Sequence, residues 1–228
     1  WTEGPMANLP TATTDTGQCG TTTASLTVGG GSPAISSDVF EGNGSTWTAG
    51  GAYPAPLHRI GVAGTQTAAV VIGGTPPAIA LTWEYNGASW TAGGDYLQTG
   101  SNFGIAGTQT AAIGFDGYGP GGSDSKDAGT YDGSTWTEIT STTTARGEFG
   151  WSTQGTTTDT IATGNPTGNT EKWNGTSWTE LANMASGRNS PFSAGTSAAM
   201  FIAGGPGSQT ICENWNDPVL SVKTVTTS

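Results

Sequence analysis

An Asn-Gly or Asp-Gly pair followed closely by tryptophan recurs along this chain, as Asn43-Gly44-Ser45-Thr46-Trp47, Asn86-Gly87-Ala88-Ser89-Trp90, Asp132-Gly133-Ser134-Thr135-Trp136 and Asn174-Gly175-Thr176-Ser177-Trp178. The four tryptophans lie 43, 46 and 42 residues apart, and Trp1 lies 46 residues before the first. Asn216-Asp217-Pro218 is a degenerate fifth copy. Self-similarity at a period of about 40 to 50 residues is the mark of propeller blades, each a four-stranded sheet. A second mark sits inside each unit. Gly64-Thr65-Gln66-Thr67-Ala68-Ala69 leads into an apolar run ending at Gly73-Gly74, and Gly107-Thr108-Gln109-Thr110-Ala111-Ala112 nearly duplicates it. Gly20-Thr21 and Gly195-Thr196 keep its outline, and Gly155-Thr156 begins the weakest copy.

These marks divide each unit into four strands. An inner strand runs to the Gly-Thr, a second to the Gly-Gly, a third to the aromatic before the turn, and a fourth starts at tryptophan. The turn pair is expected to form a type I′ hairpin with positive φ at both Asn or Asp and Gly. The fold expected is all-β: a five-bladed β-propeller with four-stranded antiparallel blades, filling residues 1–228 as one domain. Its repeats fall at about 1–46, 47–89, 90–135, 136–177 and 178–228. Small inner residues suit the crowded centre, and Trp47, Trp90, Trp136 and Trp178 fill the wedges between blades as structural core.

Gly and Pro make up 50 of 228 residues, a share that reads as low complexity only when it lacks a period. Nine Trp, six Phe and five Tyr supply the buried area that the scarce Leu and Ile do not. Seventeen acidic against six basic residues give a net charge of −11, which opposes phosphate backbones and anionic lipid surfaces. Nucleic acid and membrane insertion are therefore not expected, and no apolar run approaches the ~20 residues of a spanning helix.

The Gly-Gly doublet, the aromatic about a dozen residues on (Tyr85, Tyr131, Trp173, Trp215) and the tryptophan that follows resemble the kelch repeat. The wording Trp-Asn-Gly-Thr-Ser-Trp-Thr-Glu at 173–180 is similar to kelch-like arrays in predicted structural and tail-fibre proteins of marine phages. The resemblance implies a virion or extracellular location. Kelch-type rings often hold six or seven blades, so five is a departure. Ring closure has two candidates: Trp1-Thr2-Glu3, which matches the start of a fourth strand, or the alternating stretch Leu220–Val225.

Candidate chemistry is sparse. His58 is the only histidine, so a relay or metal site built on several imidazoles is not available. Asp116, Asp124 and Asp127 share a Gly-rich loop but lack the regular spacing of a calcium loop, and no metal or other cofactor is expected. Asn43-Gly44-Ser45 and Asn174-Gly175-Thr176 fit the glycosylation pattern, yet turn chemistry accounts for both. Cys19 and Cys212 fall on neighbouring blades of a closed ring. A disulfide and two buried free thiols both stay open there, because their strands are usually beyond the ~7 Å limit between Cα atoms.

Variable connections on a rigid scaffold are where binding usually resides. Here they carry Tyr53, His58 and Arg59, then Tyr96 and Asn102, then Arg146, Glu148 and Arg188. Aromatic rings stacking on sugar faces, with Arg, Asn and Glu bonding hydroxyls, would form a shallow glycan site. The expectation is a non-enzymatic module that recognises cell-surface carbohydrate. The alternatives are an architectural virion protein contacting other structural proteins or copies of itself, and an extracellular glycan-active enzyme.

Overall fold

The computed structural model describes residues 7–147, 149–151, 155–164, 168–187, 192–205 and 212–216. Five antiparallel sheets follow one another in chain order. Blade 1 holds β1 (Gly17–Thr21), β2 (Ala24–Val28), β3 (Val39–Gly42) and β4 (Trp47–Ala49). Blade 2 holds β5 (Gly61–Thr65), β6 (Ala68–Ile72), β7 (Thr82–Tyr85) and β8 (Trp90–Ala92). Blade 3 holds β9 (Gly104–Thr108), β10 (Ala111–Phe115), β11 (Ala128–Tyr131) and β12 (Trp136–Ile139). Blade 4 holds β13 (Phe149–Trp151), β14 (Thr160–Gly164), β15 (Asn169–Trp173) and β16 (Trp178–Glu180). Blade 5 shows β17 (Phe192–Gly195), β18 (Ala199–Ala203) and β19 (Cys212–Asn216) among the described residues.

Neighbouring blades meet along their first strands, β1 beside β5, β5 beside β9, β9 beside β13 and β13 beside β17. The molecule is a five-bladed β-propeller. The strand order within a blade is the one read from the repeat, but the units 47–89, 90–135 and 136–177 begin at the outermost strand, one strand out of phase with the blades. Among the described residues no helix is long and apolar enough to cross a membrane.

In blades 1 to 3 the two tight hairpins, between first and second strands and between third and fourth, are set by glycine. Gly64 pairs with Ala69 at φ +108°, and a Cβ added there would lie 2.3 Å from the Ala68 carbonyl oxygen. Gly20, Gly107 and Gly195 repeat this geometry, so the Gly of the Gly-Thr mark is a steric requirement.

The outer hairpin corrects the expected turn type. Asn43 donates its N–H to the Thr46 carbonyl at 3.1 Å, which makes Gly44 and Ser45 the central pair, and only Gly44 has positive φ, +87°. That is the φ pattern of a type II′ turn with Gly first, and not of type I′. The Asn43 side-chain oxygen instead accepts the N–H groups of Ser45 and Thr46 at 2.9 and 2.8 Å. Asn86, Asp132 and Asn174 repeat the arrangement. The side chain caps the turn, which is why Asp substitutes for Asn.

The core lies between blades. Leu26, Val28 and Val39 of blade 1 pack with Val62, Ala69, Val71 and Tyr85 of blade 2, and Val70 and Ile72 of blade 2 pack with Ile105, Ala112 and Tyr131 of blade 3. Polar stitches cross the same seams. Trp90 donates its indole N–H to the Gly51 carbonyl at 2.8 Å, Trp136 to the Thr82 hydroxyl at 2.9 Å and Trp178 to the Thr140 carbonyl at 3.0 Å. Tyr85 bonds Glu41 at 2.6 Å and Tyr131 bonds Glu84 at 2.8 Å. Gln66 donates to the Ser25 and Gly42 carbonyls, and Gln109 to those of Ala69 and Tyr85, which explains the recurring Gly-Thr-Gln.

Blade 5 differs on the side where a closed ring turns it toward blade 1. Leu26, Val70, Ile113 and Ile161 are buried at one register position, whereas the equivalent Phe201 is 44% exposed. Blade 1 offers Ser25, Thr27 and Gly42 where blade 2 has Ala69, Val71 and Tyr85. Both closure candidates, Trp1–Glu3 and Leu220–Val225, lie outside the described residues. Ala7 donates to the Ser45 carbonyl at 2.8 Å and accepts the Trp47 indole N–H at 3.0 Å. The segment ahead of blade 1 thus meets blade 1 as Gly51 meets Trp90 and as Gly94 meets Ser134. Cys19 and Cys212 are free thiols. Cys19 is half-buried and its thiol is pushed up to about 12 by burial, while Cys212 is exposed, so a pair of buried thiols is not what forms.

Gly64→Ala is expected to cost about 1–2 kcal/mol from the φ +108° backbone alone, and more because its Cβ meets backbone. Gly121→Ala, at φ +75° with nothing within 4 Å of the added atom, should cost only the backbone term. Urea midpoints of the two variants check the difference.

Candidate functional site

The connections between second and third strands, and those between blades, leave from one face of the ring. Three residues on that face share a backbone state. Asp15, Arg59 and Asn102 each lie two residues before an innermost strand, with φ of +54°, +57° and +55°. They are joined around the ring: Arg59 donates its N–H to the Asp15 carbonyl at 2.9 Å, and Asn102 donates to the Arg59 carbonyl at 2.7 Å. Asp and Asn visit this left-handed region readily, but arginine pays for it. Glu148 has the same place in the repeat, two residues before Gly150, and lies outside the described residues.

Asp15 was not among the candidates read from sequence. The signal was present in the shared Asp-Thr-Gly, Arg-Ile-Gly and Asn-Phe-Gly at 15–17, 59–61 and 102–104. The Asp15 carboxylate lies 3.5 Å from His58 Nδ1 and 3.8 Å from Arg59 Nε. The side chains of Asp15 and Arg59 are 48% and 41% exposed, and that of His58 is 19% exposed. His58 also pairs with Thr75 through both backbone groups, at 3.1 Å each. The structure therefore brings His58, Arg59 and Asn102 together at the rim of the innermost strands and adds Asp15. This set offers a fork of donors, a carboxylate acceptor and an amide, which suits binding of a polar ligand.

Tyr53 and Tyr96 correct the expectation of sugar-stacking rings. Both are buried, at 2% and 3% exposure. Tyr53 meets Trp90 edge-on at 4.9 Å, and Tyr96 meets Trp136 edge-on at 4.9 Å and Phe103 at 4.6 Å. Each ring comes from a connection and clamps the tryptophan of the following blade, so no face is left for a ligand. Trp90 and Trp136 pack against these cores and Trp178 belongs to the next, while Trp47 is half-buried against Ala7. Arg188, like Glu148, lies outside the described residues.

Arg146 is a further correction. Its side chain is fully buried and spends its guanidinium on two buried carboxylates, Asp116 at 3.1 Å and Glu171 at 2.7 Å. It also donates to the carbonyls of Thr144 and Asn169. The Thr142 hydroxyl bonds Asp116, and the N–H groups of Thr143 and Thr144 bond Glu171. Thr142 stands where Tyr53 and Tyr96 stand, six residues after the blade's tryptophan. At the seam of blades 3 and 4 an ionic network thus replaces the aromatic clamp. Two carboxylates share one guanidinium in a dry seam, so burial pushes Asp116 up to about 7, against the pull of Arg146 and Thr142. At Glu171 burial raises the carboxyl, but bonds from Thr143 and Arg146 outweigh it and leave the group below its ordinary value.

The Asp116 carboxylate is therefore committed to Arg146 and Thr142, although its backbone N–H bonds the Asp127 carbonyl at 3.0 Å. Among the described residues no three His, Cys, Asp or Glu side chains come together to hold a metal ion. A groove of about 330 Å³ beside the blade 3 loop is lined by Gln98, Ser123, Asp124, Lys126, Asp127 and others. Another of about 240 Å³ on blade 1 runs past Ile35, Asp38 and Phe40.

A solved structure titled "Structure of YjhT" is similar to this chain, with a TM-score of 0.71 and 13% identity over 88% of this chain and 75% of that one. At that identity the likeness shows the fold. No protein-family model matches the sequence, and no curated protein does.

Two outcomes follow from the buried groups. Tyr96→Ala should cost about 3–5 kcal/mol of stability, as for other large buried rings. Tyr96→Phe should leave stability unchanged or raised, because the Tyr96 hydroxyl is buried without a partner. Equilibrium unfolding separates the two. For Asp116 the folded value lies above the unfolded one of about 3.9, so its contribution is fully present below pH ~4 and is lost as pH rises through about 7. Asp116→Asn should flatten this decline when urea midpoints are compared at pH 5 and 7.5. An unchanged slope would count against the assignment.

Proposed function

We propose that the protein is a non-enzymatic recognition module of a virion or another extracellular surface, with cell-surface carbohydrate as its ligand and the loop face as its binding surface. The observation that carries this reading is the trio Asp15, Arg59 and Asn102: one backbone state, held by cross-blade hydrogen bonds, presenting three different polar side chains. A fixed frame with variable side chains is how rigid scaffolds present binding groups. Virion placement is supported by the resemblance of the repeats to kelch-like arrays of phage structural proteins.

A glycan-active enzyme needs two carboxylates converging on an open site at about 5 to 9 Å. The pair Asp116 and Glu171 is buried on Arg146, where it serves the seam. The assembly alternative draws on Phe201, an exposed ring at a position that other blades bury. An apolar residue left open at a seam suits contact with another structural protein.

A glycan-array screen of the purified protein, beside Asn102→Gly, tests the reading. Saturable binding to cell-surface glycans, weakened in the variant, is expected, because glycine keeps the left-handed backbone while removing the amide. A folded protein that binds no glycan would contradict carbohydrate recognition and favour the assembly alternative.

A further inference from the structure

We infer that Arg59, paired with Asp15, is the specificity-determining residue of the loop face, and that the ligand is a neutral sugar presenting two adjacent hydroxyls. This rests on the recognition reading above. Arg59 is in local conflict with its backbone: at φ +57° an arginine costs roughly 1–2 kcal/mol that Gly would not pay and that Asn or Asp largely avoids. The equivalent positions in blades 1 and 3 hold Asp and Asn, so the fold accepts the cheaper residues there. A residue that breaks a local rule the fold does not require is expected where function selects it.

The geometry names the chemistry. Arg59 approaches Asp15 through Nε at 3.8 Å, which leaves the terminal nitrogens of its half-exposed guanidinium to face a ligand. Beside them the Asp15 carboxylate stays half-exposed, with the oxygen that faces Arg59 also 3.5 Å from His58 Nδ1 and the other oxygen left to accept from a ligand. A donor fork next to an acceptor matches a pair of neighbouring hydroxyls, each of which both donates and accepts. It matches an acidic group poorly. Asp15 would face that group directly, and the chain carries a net charge of −11.

The test measures binding of the whole protein to mannan, dextran and pullulan, which are neutral and keep free adjacent hydroxyls, and to alginate and polygalacturonate, which are acidic, by affinity electrophoresis or calorimetry. Arg59→Asn and Asp15→Asn serve as variants, since Asn suits the left-handed backbone and both should melt at or above the wild-type temperature. Binding to at least one neutral polysaccharide and weaker binding to the acidic ones is expected. Each variant should lose about 10-fold or more, the scale of hydrogen bonds to charged groups. Neutral binding that survives Arg59→Asn, or a preference for the acidic polymers, overturns the inference while leaving carbohydrate recognition standing. Absence of binding to all five, matched by a blank glycan array, overturns both.

Discussion

Blades 1 to 4 of this propeller each have a sheet face that the next blade covers, and aromatic side chains of that following blade do much of the covering. Tyr85 with Trp90, and Tyr131 with Trp136, stack at 4.7 and 5.0 Å and lie against the blade before them. Such pairs add to area burial about 0.5–1.5 kcal/mol each. Their polar ends are tied in the same direction, Tyr to Glu and Trp to a carbonyl or hydroxyl of the preceding blade. Burial of the rings thus costs no orphaned group where the partner Glu is present. Where blade 4 carries Trp173 in place of Tyr, blade 3 carries Thr130 in place of Glu, and the Trp173 N–H turns to the Thr157 carbonyl. The partners change together because a buried donor needs an acceptor.

Much of this was legible in the sequence because the repeat encodes it directly. Glycine at Gly64 and Gly107 marks a backbone that a side chain would block, and tryptophan after the turn marks the seam. Three things escaped. The turn type did, because Asn43 acts through its side chain and leaves the central place to Gly44 and Ser45. The rings of Tyr53 and Tyr96 did, because a connection that looks like a surface loop folds back onto the following blade's tryptophan. The Arg146 network did, because Asp116, Thr142 and Glu171 are far apart in sequence and meet only at a seam. Phe201, in turn, keeps its place in the repeat but not the burial the repeat implies.

The same stitching bears on function. Left-handed backbone at Asp15, Arg59 and Asn102 lets each amide after the first reach the preceding blade's carbonyl. The side chains then stand on a frame whose shape does not depend on what they are. Recognition can vary at such positions with little effect on folding, whereas a change at Tyr96 or Arg146 acts on the scaffold.

The most direct test of that frame is residue-resolved amide hydrogen exchange by NMR. A ring held by cross-blade bonds predicts that the amides of Arg59 and Asn102 exchange as slowly as those of the adjoining strands β5 and β9. Exchange at the rate of open loops would contradict it, and the loop face would then have no fixed geometry on which to build a binding site.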